Sequence, residues 1–158
     1  IFTEEEQLLI MSSQQPEVTL WLLWSMKEAA YKIYSRQQGI RSFAPTSLRC
    51  QLDPSPLKSK LFTEETRISP PLIKSKGYNG KVLIGEHTYL TESTGNDQLI
   101  HTICATNKAD IRQIKVGIYT AGHPLFNNYK YTKPGCVSHH GSYLALVYLD
   151  SGSPQSVN

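Results

Sequence analysis

The feature that most constrains the fold is a change of period near residue 40. Before this point apolar residues recur at helical spacing, whereas beyond it Leu48, Cys50 and Leu52 alternate with polar residues. Apolar residues three and four apart line one face of a helix, and strict alternation is typical of a half-buried strand. Helices followed by strands predict a two-layer α+β fold in which the helices pack on a mostly antiparallel sheet.

Local signals set the ends of two helices in the N-terminal part. Thr3 and Glu6 have the spacing of a capping box, which predicts a short first helix. Pro16 is typical of a first helical turn and opens a longer second helix. We expect the second helix to run to about Gln37, because Gly39 just beyond it is a C-terminal stop signal.

The remaining secondary structure is predicted as strands and one short helix. Four segments have strand-like composition: Lys81–Leu90, Gln98–Thr106, Lys115–Thr120 and Cys136–Leu149. We expect the first two to form a hairpin through the turn at Thr94–Asp97, and a short helix at Asn107–Gln113.

Composition excludes several classes of protein. The chain of 158 residues suits one domain with a single core, and 18% charged against 39% hydrophobic residues excludes a disordered chain. The longest apolar run, Leu20–Trp24, is too short to cross a membrane. Three separated cysteines and the lack of a secretion leader predict a cytoplasmic protein. A net charge of +3 is too small to indicate nucleic acid, so neither a membrane nor a nucleic acid is an expected partner.

Residues 53–81 differ in kind from the rest. They contain four of the nine prolines and six basic residues against three acidic ones, and this excess of +3 equals the net charge of the whole chain. Loops of such length are usually functional or disordered. The composition therefore predicts a long, mobile, basic loop.

The second helix has two apolar faces with one narrow polar stripe between them. The stripe contains Ser25, Glu28, Lys32 and Arg36. Two interpretations of Glu28 and Lys32 remain open: a solvated ion pair, which is common at this spacing, or a carboxylate and an amine that line a cleft. Lys27 lies within an apolar face, where its ammonium requires a partner or access to water.

The segment Trp24–Lys32 resembles a known signature. Its sequence W-S-M-K-E-A-A-Y-K is similar to the W-x-x-K-E-A-x-x-K motif of 4′-phosphopantetheinyl transferases, which include holo-acyl-carrier-protein synthases. Phe2–Glu6 looks like the F-[ST]-x-x-E motif of the family, and three later segments look like its strands: Thr46–Leu52, Val82–Tyr89 and Leu99–Thr106. The resemblance implies a transferase half-domain at 1–106, followed by a C-terminal segment of the same globule at 107–150. The polar residues at 151–158 predict a frayed tail.

The last third contains a further resemblance. Gly122–Leu125 and Val137–Tyr143 look like the G-K-P and S-I-S-H-S/H-G motifs of the family, and some bacterial members carry such a Ser-His-His-Gly ending. His123 stands where the family commonly has Lys. Cys136 and His139 also have the spacing of half a zinc site, but the sequence offers no second half, which disfavours zinc.

The resemblance implies an enzyme that transfers the 4′-phosphopantetheine arm of coenzyme A to a serine of an acyl or peptidyl carrier protein, with Mg²⁺. It implies Glu28 as a catalytic residue and metal ligand, and Lys32 and Glu6 as further catalytic residues. The implied contacts of coenzyme A are Lys27, Ser138, His139 and His123. For Glu6, capping of the first helix is the alternative role, and the two roles can coexist.

Several points stay open at this stage. The metal site of the family also uses an Asp from an I-G-x-D strand. Either residues upstream of Ile1 supply this Asp, which we favour, or this member lacks that ligand. We expect an acidic carrier protein to dock on the basic loop at 53–81.

The active site forms within one chain or across a homo-oligomer. The alternatives in function are a non-catalytic module that binds coenzyme A or a carrier protein, and a small nucleic-acid binder that uses the basic loop.

Overall fold

A computed structural model describes residues 1–54 and 76–149. The described residues fall into two compact units, which we call the N-terminal unit (residues 1–54 and 76–111) and the C-terminal unit (residues 112–149). The predicted division at residue 106 and the predicted single globule stay predictions.

The N-terminal unit contains a short helix, a long helix and a four-stranded sheet. Helices α1 and α2 span Glu4–Ser12 and Pro16–Gln38, and a 3-10 turn spans Pro45–Ser47. The strands are β1 (Leu48–Leu52), β2 (Lys76–Ile84), β3 (His87–Gly95) and β4 (Ile100–Ala105), and a short helix α3 (Lys108–Arg112) follows them. The sheet is antiparallel throughout, with the order β1-β2-β3-β4.

The predicted helix signals are confirmed. The Thr3 side chain accepts a hydrogen bond from the Glu6 backbone N–H, and the Glu6 carboxylate accepts one from the Thr3 N–H, which completes the capping box. Gly39 ends α2 with a φ of +67°, a left-handed conformation that suits glycine.

One face of the sheet packs against α2 to form the core of this unit. Its fully buried apolar residues are Leu22, Leu23, Met26 and Ala30 from α2, and Leu48, Val82, Ile84 and Tyr89 from the sheet. A Cβ at Gly80 would lie 2.8 Å from Met26 Cε, so the glycine permits this close approach of helix and sheet. The predicted two-layer α+β fold with an antiparallel sheet is confirmed.

The C-terminal unit is built on a three-stranded antiparallel sheet. Its strands are β5 (Ile114–Thr120), β6 (Cys136–His140) and β7 (Tyr143–Leu149), in the order β5-β7-β6. Between β5 and β6 lie the short helix α4 (Leu125–Asn128) and a 3-10 turn at Tyr129–Thr132.

Two strand predictions were wrong because each predicted strand contains a hairpin turn. Lys81–Leu90 is divided at Gly85 between β2 and β3, and Cys136–Leu149 is divided at Gly141 between β6 and β7. Both glycines have a positive φ, +57° and +54°, which is the conformation that two-residue hairpin turns require.

The basic loop predicted at 53–81 is also corrected at its end. Residues 76–81 belong to β2 and pair with β3, and residues 80 and 81 pair with β1 as well. Residues 55–75 of that segment, and the tail at 151–158, lie outside the described residues. No helix in the described part of the chain has the length and apolar character needed to span a membrane.

Candidate functional site

Helix α2 carries two of the predicted catalytic residues, Glu28 and Lys32, outside its fully buried positions. The buried residues of this helix include Lys27, whereas Glu28 is exposed and Lys32 is half-buried. The two residues are four apart and therefore neighbours on one helix face. Among the described residues no ion pair joins them. This arrangement leaves a carboxylate and an ammonium side by side and available to a ligand.

Lys27, the residue before Glu28, is fully buried in an ion pair. Its Nζ lies 2.7 Å from Glu6 Oε2, and the exposed fractions of the two side chains are 0% and 3%. The same Nζ donates to the backbone carbonyl of Ile1 at 3.1 Å and to that of Pro45 at 2.7 Å. An ammonium has three N–H donors, so Lys27 is fully satisfied by the protein. The prediction that Lys27 needs a partner is confirmed.

Glu6 is equally occupied. Its Oε1 accepts the Cys50 N–H at 2.8 Å, and its Oε2 accepts the Thr3 N–H at 2.9 Å besides contacting Lys27. The carboxylate therefore links α1, α2 and β1 in the interior. Burial, followed by the negative charge of Glu6, raises the pKa of the Cys50 thiol to about 12, so the thiol stays protonated. These contacts hold the interior together; the catalytic role of Glu6 and the contact of Lys27 with coenzyme A stay predictions.

His101 was not selected by sequence reasoning; it lies on β4, the strand that packs along α2. It is half-buried. Burial, and to a smaller extent the positive charge of Lys32, lower the pKa of His101 to about 4, so the imidazole is neutral at neutral pH. A single histidine within a predicted strand is not distinguishable from a structural residue by sequence alone.

Strand β6 carries Ser138 and His139 on opposite faces of its sheet. Ser138 lies opposite Ala145 and His139 lies opposite Leu144 on β7, and successive side chains of a strand point to opposite sides. The two predicted contacts of coenzyme A therefore do not converge on one point of this sheet.

His123 and His139 instead lie among aromatic rings. The ring centroid of His139 is 4.7 Å from that of Phe126, and the His123 centroid is 4.6 Å from that of Tyr119. By register Tyr119 and His139 share one face of the sheet, since both lie opposite Leu144. His123 Nδ1 also accepts the Leu125 N–H at 3.1 Å. The structure brings these two predicted site residues to one face of the C-terminal unit.

The metal-binding capacity of the described residues is limited. In residues 1–54 and 76–149 no three His, Cys, Asp or Glu side chains form a cluster that could hold a metal ion. Cys136 and His139 lie three apart on β6, so their side chains point to opposite faces. Glu28 fits Mg²⁺ as a single ligand, because Mg²⁺ is often held by one or two carboxylates together with water and substrate phosphate.

Comparison with known families shows the superfamily to which the chain belongs. The family model of the 4′-phosphopantetheinyl transferase superfamily matches residues 1–88, which is more than half of the chain. The chain belongs to this superfamily. Searches of curated proteins and of solved structures gave no significant match. The matched region contains Glu6, Lys27, Glu28 and Lys32, and it ends before the C-terminal unit.

Proposed function

We propose that this protein is a Mg²⁺-dependent 4′-phosphopantetheinyl transferase of the holo-acyl-carrier-protein synthase type. It would transfer the phosphopantetheine arm from coenzyme A to a serine of an acyl or peptidyl carrier protein in the cytoplasm. Membership in the superfamily supports the reaction class. The observation that carries the proposal is the exposure of Glu28 beside Lys32 within the matched helix motif, without an ion pair between them among the described residues.

The reaction displaces one phosphate from the pyrophosphate of coenzyme A. The serine Oγ forms a bond to the phosphorus of the phosphopantetheine arm, the bond from that phosphorus to the bridging oxygen breaks, and adenosine 3′,5′-bisphosphate leaves. The serine proton passes to a base. Such transfers depend mainly on positioning and on stabilisation of the phosphate charge.

Glu28 and Lys32 suit the two electrostatic tasks of this reaction. The exposed carboxylate of Glu28 would hold Mg²⁺, which when bound neutralises pyrophosphate charge. Lys32 offers an ammonium one helical turn away, and an ammonium binds phosphate oxygens as a point charge. Both groups project from a helix that is fixed against the sheet, so they are preorganised for a polyphosphate.

In this proposal Glu6 and Lys27 are framework residues that set the rotation of α2. Because the Lys27 ammonium is fixed by Glu6, Ile1 and Pro45, the next residue, Glu28, is turned by about 100° toward the surface. His123 and His139, with their aromatic neighbours, remain proposed contacts of coenzyme A, and Ser138 would act from the other face of its sheet.

The second candidate function is a module that binds coenzyme A or a carrier protein without turnover. One observation favours it: the carboxylate of Glu6 is already occupied by the Cys50 N–H and the Lys27 ammonium. A module of this kind would bind coenzyme A with little dependence on Mg²⁺ and would release no adenosine 3′,5′-bisphosphate.

Single substitutions test the proposed roles. We expect Glu28→Gln and Lys32→Met each to lower kcat/KM for arm transfer by at least 100-fold while leaving the unfolding midpoint in urea unchanged. Glu17→Gln is the matched control, because Glu17 is an exposed carboxylate of the same helix. Activity of Glu28→Gln equal to that of Glu17→Gln would refute the assignment, and tight coenzyme A binding without transfer by the unsubstituted protein would favour the second candidate.

A further inference from the structure

Charge is distributed unevenly between the two units. Residues 112–149 contain no Asp or Glu but four Lys or Arg, whereas residues 1–54 and 76–111 contain ten Asp or Glu against eight Lys or Arg. The C-terminal unit is therefore the positive part of the described chain.

Two of these cations lie on one feature of the unit, the segment from Pro124 to Lys133, which we call the 124–133 surface. Lys130 and Lys133 are exposed there, and the ring of Tyr131 is 72% exposed. The surface contains a cavity of about 430 Å³, lined by Pro124, Asn127, Asn128, Lys130 and Tyr131. Tyrosine is enriched at protein-binding surfaces, so the exposed ring of Tyr131 favours such a surface, and the lysines beside it make that surface positive.

The backbone of this surface is held by specific contacts. Thr132 Oγ1 donates to the Tyr129 carbonyl at 2.6 Å and lies 2.6 Å from Tyr148 Oη, which ties the segment to β7. At the other end, Phe126 packs edge-on against His139 of β6. Lys130 and Tyr131 thus project from a fixed framework, which lowers the entropic cost of binding a partner.

We propose that the 124–133 surface docks an acidic protein surface, which under the proposed function is that of the carrier protein. The partner is inferred from charge complementarity: a positive surface without carboxylates of its own recruits and orients an acidic partner. A protein is favoured over a nucleic acid because, among the described residues that line the cavity, Tyr131 is the one aromatic side chain. The net charge of the whole chain, only +3, favours a protein as well. This docking site lies apart in sequence from the basic segment at 53–81.

The test measures binding separately from turnover. An acidic apo-acyl carrier protein whose acceptor serine is replaced by alanine is titrated with the full-length protein at several salt concentrations. We expect Lys130→Glu and Tyr131→Ala each to weaken binding at least 10-fold, and binding to the unsubstituted protein to fall as salt increases. Arg112→Glu is the matched control, because it reverses an exposed charge of the same unit outside this surface, and we expect a change below twofold.

Other outcomes overturn the proposal. These are no binding of the carrier to the unsubstituted protein, equal loss in Lys130→Glu and Arg112→Glu, or Lys130-dependent binding of a single-stranded DNA oligonucleotide without carrier binding. A parallel transfer assay separates this idea from the proposed function. If Lys130→Glu transfers the arm with an unchanged KM for the carrier, the docking site is refuted and the proposed function is not. If the carrier binds in a Lys130-dependent way but no transfer occurs, the proposed transferase function is refuted and the docking site is not.

Discussion

At the scale of single residues, the buried pair of Glu6 and Lys27 explains how the helix motif is organised. The sequence predicts a separate requirement for each residue. Glu6 is predicted to cap α1, and the ammonium of Lys27 is predicted to need a partner. The structure shows that these two requirements are met by one contact between residues 21 positions apart. Sequence spacing within a helix predicts neighbours three or four apart, but it contains no information on contacts between helices.

Breaking this pair should cost the protein much of its stability. We expect Lys27→Met to lower the free energy of unfolding by about 3–5 kcal/mol, because the Glu6 carboxylate would then be buried without its cationic partner. Glu6→Gln should have a similar effect. Urea denaturation of both variants and of the double variant measures the coupling, and the double variant should lose less than the sum of the two. Strict additivity would contradict a buried ion pair.

His101 gives the stability a defined dependence on pH. Its pKa of about 4 in the folded state lies below the value of about 6.5 in the unfolded chain. Between pH 6.5 and 4 the imidazole of His101 is therefore protonated in the unfolded state but not in the folded state. The free energy of unfolding consequently falls as the pH decreases through this range. From pH 7 to pH 5 the loss from this group is at most about 2 kcal/mol.

Urea denaturation at pH 7 and pH 5 checks this expectation. The carboxyl groups contribute to the pH dependence of both proteins, so the informative quantity is the difference between the unsubstituted protein and His101→Asn. We expect the variant to lose less stability on acidification. An equal loss in both would show that His101 titrates normally in the folded protein.

At the scale of secondary structure elements, the long helix was predictable and the hairpins were not. Periodicity over 23 residues, a proline at the start and Gly39 at the end defined α2. The turns at Gly85 and Gly141 were missed because the apolar composition continues across them, and a lone glycine in a strand pattern also indicates a bulge. The register of the pairs, Ile84 with His87 and His140 with Tyr143, shows tight two-residue turns.

Gly80 tests the packing of α2 on the sheet. A Cβ at this position would lie 2.6 Å from the Gln51 carbonyl oxygen and 2.8 Å from Met26 Cε, so the backbone of β1 must shift to accept it. We expect Gly80→Ala to lower the free energy of unfolding by about 1–3 kcal/mol. Gly122→Ala is the control, because no atom lies within 4 Å of its added Cβ, and it should change stability by less than about 0.5 kcal/mol. Equal effects would argue against the tight approach.

At the scale of the whole molecule, the sequence predicted the fold class and the family better than the site. The W-x-x-K-E-A-x-x-K helix is local, so its residues and their exposure follow from helical geometry, and the exposed Glu28 agrees with that geometry. The positions of Ser138 and His139 depend on strand pairing, and the coupling of His101 to Lys32 depends on packing between elements. Such non-local contacts are not encoded in spacing, which is why the site was only partly predictable.

The most direct test of the central claim is the intact mass of an apo-carrier protein after incubation with this protein, coenzyme A and Mg²⁺. We predict that the carrier gains the mass of one 4′-phosphopantetheine group with the unsubstituted protein and with Glu17→Gln, and that Glu28→Gln gives no gain in the same time. A carrier of unchanged mass with the unsubstituted protein, or an equal gain with Glu28→Gln, would contradict the proposed transferase.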